Sequence, residues 1–141
     1  MVIRNASATW KGSLKDGQGS MKLGSGAFEG AFSYTTRFED EPGTNPEELI
    51  GAAHAGCFSM SVSSGLGKAG FTPEMIRTQA KVHFGKVDGK SRITRIELDC
   101  EASVPDISAE QFAEIAEAAK TGCPVSAALT GVEISLQARL V

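Results

Sequence analysis

Three cysteines and two histidines are the candidates for nucleophilic, redox or metal chemistry: Cys57, Cys100, Cys123, His54 and His83. His54 precedes Cys57 by three residues, so on a helix the two share a face. That spacing suits a base for a thiol, half of a metal site, or a core histidine beside a small buried thiol. No C-x-x-C or H-x-x-x-H pair supports a metal, and no metal or other cofactor is expected. A Cys–His hydrolase would need an orienting acid and an oxyanion hole, and the sequence shows neither. Cys123 differs because Pro124 follows it. It falls at or beside a helix N-cap, where unpaired N–H groups and the positive end of the helix dipole favour a thiolate. Cys100 alternates within a strand-like stretch from Glu97 to Glu101 and reads as structural. Arg37 sits near the end of an apolar stretch, Tyr34 to Phe38, where an isolated charge is ordinarily a surface residue.

The elements that must position these groups are α+β in order. Ala6–Trp10, Ser20–Leu23 and Ala31–Phe38 read as strands, separated by glycine-rich turns at 15–19 and 24–26. Asn45, Pro46 and Glu48 then carry an N-cap, first-position and capping-box pattern. The helix they open runs from Pro46 to Ala69 and stops at Gly70. Its middle is small or apolar around nearly the whole circumference, which predicts burial on every side. One short chain can hardly wrap such a helix, so a second copy is expected to cover part of it. Strands at Met75–Val87 and Ser91–Val104 join at Asp88 and Gly89, a hairpin signal. An amphipathic helix bearing Phe112, Ile115 and Ala119 follows, broken at Gly122 to Pro124. Val125–Leu129 forms a further short helix, and Val132–Leu140 alternates as a closing strand. This is not the βαβ alternation of a nucleotide-binding sheet, and no G-x-G-x-x-G or Walker A run is present.

Composition narrows the classes further. The chain has 141 residues, 41% hydrophobic and 22% charged, which suits one globular domain spanning residues 1–141. Fourteen Lys and Arg against 17 Asp and Glu leave a net charge of −3, opposed to the basic stripe of a nucleic-acid binder. No apolar run reaches the roughly 18–20 residues of a membrane span. The first residues, MVIRNASATWKG, lack the apolar core of a signal peptide, so a reducing, cytoplasmic setting is expected. An odd and sparse cysteine count fits that setting, with any disulfide transient rather than structural.

Several segments, taken in order, resemble the OsmC/Ohr family of thiol peroxidases. They are TRFE at Thr36–Glu39, GTNPEELIGAAHAGCFSM at Gly43–Met60, GLGKAGFTP at Gly65–Pro73 and AKTGCPVS at Ala119–Ser126. The segments around Cys57 and Cys123 are specific together and weak apart. An arginine just ahead of the helix, in T-R-F, is similar to the OsmC branch rather than to Ohr. The resemblance implies an intertwined homodimer, with antiparallel sheets packed around a long buried central helix that carries the first redox cysteine. It implies stress-responsive, antioxidant reduction of organic hydroperoxides, with hydrogen peroxide also accepted. Carried over by position, Cys57 is the peroxidatic thiolate and Cys123 the resolving thiol. Arg37 holds the thiolate and polarises the peroxide, and Glu47 orients Arg37. A dithiol (a lipoylated protein, thioredoxin or a small thiol) then recycles the Cys57–Cys123 disulfide.

Local physics sharpens two points of that scheme. Cys57 falls mid-helix, beyond the reach of the helix dipole, so another cation must acidify it. Arg37 is suited, being always charged and carrying a planar fork of donors. Dipole reasoning alone makes Cys123 the more acidic thiol, whereas the resemblance assigns attack to Cys57. Glu47 lies ten residues before Cys57, about 15 Å along a straight helix at ~1.5 Å per residue. One clamp spanning both is expected to need groups from two chains. Phe58, Met60 and Phe38 would give the site an apolar lining. Two other readings use the same residues: a non-enzymatic dimer binding an apolar ligand, and a thiol redox sensor without fast turnover.

Overall fold

The computed structural model describes all residues from Met1 to Val141, in the order β1 (Ala6–Lys11), β2 (Gln18–Leu23), β3 (Glu29–Phe32), α1 (Tyr34–Phe38), α2 (Pro46–Lys68), β4 (Met75–Val87), β5 (Lys90–Ser103), α3 (Ala109–Gly122), α4 (Pro124–Ala128) and β6 (Glu133–Leu140). Two compact units divide the chain, Met1–Leu49 and Ile50–Val141. No helix is long and apolar enough to cross a membrane.

In the first unit β1, β2 and β3 form an antiparallel sheet in that order. Trp10 packs on Phe32 with ring centroids 5.3 Å apart. Gly19 lies between the two rings, and a Cβ there would come within 2.6 Å of both. The sequence predicts β3 to continue through Phe38, and here the structure differs. Ser33 accepts from the Thr36 amide while Thr36 Oγ1 accepts from the Ser33 amide, a reciprocal capping box. These local bonds turn the chain into a helical turn, α1, because they satisfy donors that an edge strand would leave unpaired. Arg37 therefore stands on a helix and not on a strand. Thr36 and Asn45 then stitch α1 to the start of α2: Thr36 Oγ1 donates to the Thr44 carbonyl at 2.9 Å, and Asn45 Nδ2 to the Thr36 carbonyl at 3.3 Å. Asn45 Oδ1 also caps α2, accepting from the Glu48 amide at 2.8 Å.

The second unit holds a sheet ordered β4–β5–β6. β4 and β5 make the expected hairpin, with Asp88 and Gly89 both at positive φ (52° and 75°), as a two-residue primed turn requires. β6, however, pairs with β5 in parallel, bringing Cys100 opposite Ala138. The sheet is mixed where antiparallel sheets were expected. The physical reason is the crossover: α3 and α4 carry the chain back before β6 starts, and alternation alone carries no strand direction. Ile96, Leu98, Cys100 and Ala102 of β5 turn inward to meet Phe58, Val62 and Leu66 of α2 and Phe112, Ala116 and Ala119 of α3. The opposite face of β5 is a charged ladder, with Arg95, Glu97, Asp99 and Glu101 tied to one another, to His83 and to Arg139.

Within this chain α2 is not buried all round. Phe58, Val62 and Leu66 line its core stripe, but Ala52, Ala53, Gly56, Met60 and Ser63 are exposed. Met60, at 76% exposure, is the most open large apolar side chain beyond the first residues of the chain.

Candidate active site

The structure brings the singled-out residues together in two pairs, one in each unit. In the first unit Arg37 and Glu47 form a forked ion pair. Arg37 Nε reaches Glu47 Oε1 and Oε2 at 3.1 and 3.3 Å, and Nη2 reaches Oε1 at 2.8 Å. Glu47 is buried and Arg37 half-buried, so the carboxylate fixes a guanidinium that keeps part of its surface open. The Phe38 ring lies under the guanidinium, 5.3 Å from Cζ, and Tyr34 packs on that ring at 4.8 Å. The capping box of α1 and the Asn45 cap of α2 set the two ends of this pair.

In the second unit the Cys57 and Cys123 sulfurs are 2.7 Å apart, with both thiols free. Cys57 stands midway along α2. Cys123 closes α3 and caps α4, with Pro124 at the first helical position, as the sequence predicts. The Ser126 amide donates to Cys123 Sγ at 3.5 Å. Burial, and then contact with Cys123, push the Cys57 thiol up from its ordinary value. Burial pushes Cys123 up as well, but contact with Cys57 and hydrogen bonds from the amide and hydroxyl of Ser126 outweigh it, and its net shift is downward. Within this unit the two thiols shift in opposite directions, and the cap thiol is lowered first by its contact with Cys57 and then by the Ser126 bonds of the cap. Cys100 is buried in the core, where desolvation raises it.

Two expectations need correction. Phe58 does not line an open site: it is fully buried in the core, because one residue of helix turns it about 100° away from Cys57. His54 is not a fully satisfied core histidine. Its Nε2 lies 2.8 Å from Ser126 Oγ, but Nδ1 is buried with no hydrogen-bond partner. Ser126 is the functional candidate that residue-by-residue reasoning misses. The available signal was its place three residues after the capping cysteine, where a polar side chain faces back over the cap.

The site is thus that of an α+β chain in which a mid-helix thiol meets a cap thiol. The OsmC-like protein family model matches residues 38–137. Peroxiredoxin OsmC of Escherichia coli (strain K12) is 49% identical over 140 residues, covering 99% of this chain and 97% of that protein. The same fold occurs in the organic hydroperoxide resistance protein OhrB of Bacillus subtilis, with a TM-score of 0.75 at 23% identity, covering 96% of this chain and 98% of that one. An OsmC-like protein of Mycoplasma pneumoniae shares it at a TM-score of 0.77 and 16% identity, covering 99% and 98% of the two chains. The chain belongs to the OsmC-like family.

Proposed function

We propose that this chain reduces organic hydroperoxides, and hydrogen peroxide, through a Cys57 sulfenic acid and a Cys57–Cys123 disulfide. Membership of the family, with about half of all positions identical to a peroxiredoxin, makes it a thiol-dependent peroxidase. The observation that carries the two-thiol cycle is the 2.7 Å between the sulfurs. At that separation a bond of ~2.05 Å needs only a small side-chain movement.

In the cycle the Cys57 thiolate attacks the O–O bond. The distal oxygen stays on sulfur as sulfenic acid, and the other leaves as an alcohol, or as water from hydrogen peroxide. Cys123 then displaces the sulfenic oxygen as water, and the disulfide is opened by an external dithiol through two exchange steps. The same cysteine pair fits a reducing compartment, where the disulfide would not persist.

Attack is assigned to Cys57 even though Cys123 is the more acidic thiol of its unit. The assignment requires a cation, and Arg37, held by Glu47, is the one proposed. Ten residues of α2 separate Glu47 from Cys57, so we assign the clamp at each thiol pair to a second copy of the chain. The exposed small face of α2 (Ala52, Ala53 and Gly56, with Met60) is the surface proposed for that copy. In such a homodimer the whole chain, 1–141, acts as one functional domain. Met60 and Phe38 are the exposed apolar side chains available to an alkyl group.

The test is consumption of a dithiol in the presence of cumene hydroperoxide. Reduced protein should turn over, and peroxide alone should remove two hydrogens from its mass. Turnover that persists in Cys57→Ser overturns the reading.

A further inference from the structure

The buried pair of His54 and Ser126 serves neither the Arg37–Glu47 clamp nor the contact between the sulfurs. We propose that His54, acting through the Ser126 hydroxyl, is a positioning residue for the thiolate of Cys123. This rests on the two-thiol cycle and names the groups that prepare the nucleophile of its second step.

The geometry decides which way the hydrogen bonds run. His54 has no solvent exposure, its Nε2 is 2.8 Å from Ser126 Oγ, and its Nδ1 has no partner. A proton on Nδ1 would leave a buried, unpaired N–H, and orphan donors are rarer in proteins than under-satisfied acceptors. The neutral ring therefore carries its proton on Nε2 and donates it to Ser126 Oγ. That leaves the hydroxyl hydrogen free to turn toward Cys123, whose sulfur already accepts from the Ser126 amide at 3.5 Å and whose acidity the Ser126 side chain favours. The relay proposed runs from His54 Nε2–H to Ser126 Oγ, and from that hydroxyl to Cys123 Sγ beside the Ser126 amide that donates to the same sulfur. Burial lowers the histidine's affinity for protons, so the ring contributes an oriented dipole and not a charge. A protonated ring would again bury an unpaired Nδ1–H.

Other titratable groups near Cys123 are placed differently. Cys57 of α2 touches it directly. Lys120, one turn earlier on α3, is paired with Glu117 at 2.8 Å. Cys100 of β5 is buried in the core, where desolvation raises it. The step served is a displacement: the Cys123 thiolate forms the S–S bond as the S–O bond of the Cys57 sulfenic acid breaks. The departing hydroxide takes up the proton that Cys123 gave to solvent, so one thiol and one sulfenic acid yield one disulfide and one water.

The test reads Cys123 acidity without peroxide. In a Cys57→Ser, Cys100→Ser background only Cys123 remains to be alkylated, and its rate with iodoacetamide is followed against pH. His54→Leu and Ser126→Ala should raise the midpoint by about one unit or more, the effect of losing one hydrogen bond to an ionised group. His54→Gln and Ser126→Thr, which keep a donor and a hydroxyl, should restore it to within a few tenths. Unmoved midpoints in His54→Leu and Ser126→Ala overturn the proposal. Should His54→Leu fail to fold, Ser126→Ala, a far smaller change, reads the same relay. With Cys57 and Cys123 both present, a peroxide pulse should show Ser126→Ala slowing disulfide formation about tenfold more than sulfenic acid formation. Equal slowing of both steps also overturns it. Absence of any Cys57–Cys123 disulfide in the parent protein would instead count against the two-thiol cycle, leaving the alkylation result to stand by itself.

Discussion

Cys57 and Cys123 stand 66 positions apart in the chain and 2.7 Å apart at their sulfurs, one in the middle of a helix and the other at a cap. The two environments push the thiols in opposite directions. Burial and the contact with Cys123 push the Cys57 thiol up, while the contact with Cys57 and the bonds from Ser126 outweigh burial and bring the Cys123 thiol down.

The first prediction separates those roles. Cys123→Ser treated with one equivalent of organic hydroperoxide should accumulate a sulfenic acid at Cys57 that a dimedone probe traps, visible by mass. Cys57→Ser should trap nothing at Cys123 and lose at least ~99% of turnover, as removal of a nucleophile does. Cys100→Ser should turn over like the parent. A trap that forms only when Cys57 is absent reverses the assignment.

The Arg37–Glu47 fork predicts that Arg37→Lys is not conservative. Lysine supplies a point charge and cannot reproduce the three contacts that Nε and Nη2 make with the two carboxylate oxygens. A fall in kcat/KM of roughly 10- to 100-fold is expected, the equivalent of one or two charge-assisted hydrogen bonds. Glu47→Gln should show a fall of the same order. Stopped-flow peroxide kinetics distinguish this from a simple loss of stability.

The caps were local and therefore legible: Asn45 with Pro46, and Cys123 with Pro124, each announce a helix start within four residues. The β4–β5 hairpin was legible for the same reason, through Asp88 and Gly89. At Ser33 the sequence hides the turn, because an apolar run outweighs a capping box whose second member is a threonine rather than a glutamate. The direction of β6 was not legible, since alternation is the same in either sense. His54 and Ser126 lie 72 positions apart, and no local pattern joins them.

Stability should depend on pH through His54. Its folded-state pKa is depressed by burial, so below the ordinary value of about 6.5 the unfolded chain binds a proton that the folded one does not. Stability is then full above about 6.5 and falls with pH down to the depressed value, by at most about 1.4 kcal/mol per pH unit. Urea midpoints at pH 7.5 and 5.5 measure it. In His54→Gln the two midpoints should draw together. An unchanged difference would assign the acid sensitivity to other groups.

Self-association is predicted to be required for activity. Gly56→Glu and Met60→Asp place charge on the exposed face of α2, where a Cβ at Gly56 meets nothing within 4 Å in the single chain. Both should leave the fold intact, shift the sedimentation coefficient to that of a monomer, and remove peroxidase turnover. A fully active monomer would sink the two-chain site.

The parallel pairing of β5 and β6 carries a consequence for the order of events in folding. A hairpin closes from local contacts, but a parallel pair waits for its crossover, and contacts so distant in sequence form slowly. Cys123 rides on that crossover, between α3 and α4. Until the last strand docks, that crossover lacks its anchor on β5. The meeting of the two thiols is thus expected late in folding, once the crossover that carries Cys123 has been anchored by the last strand.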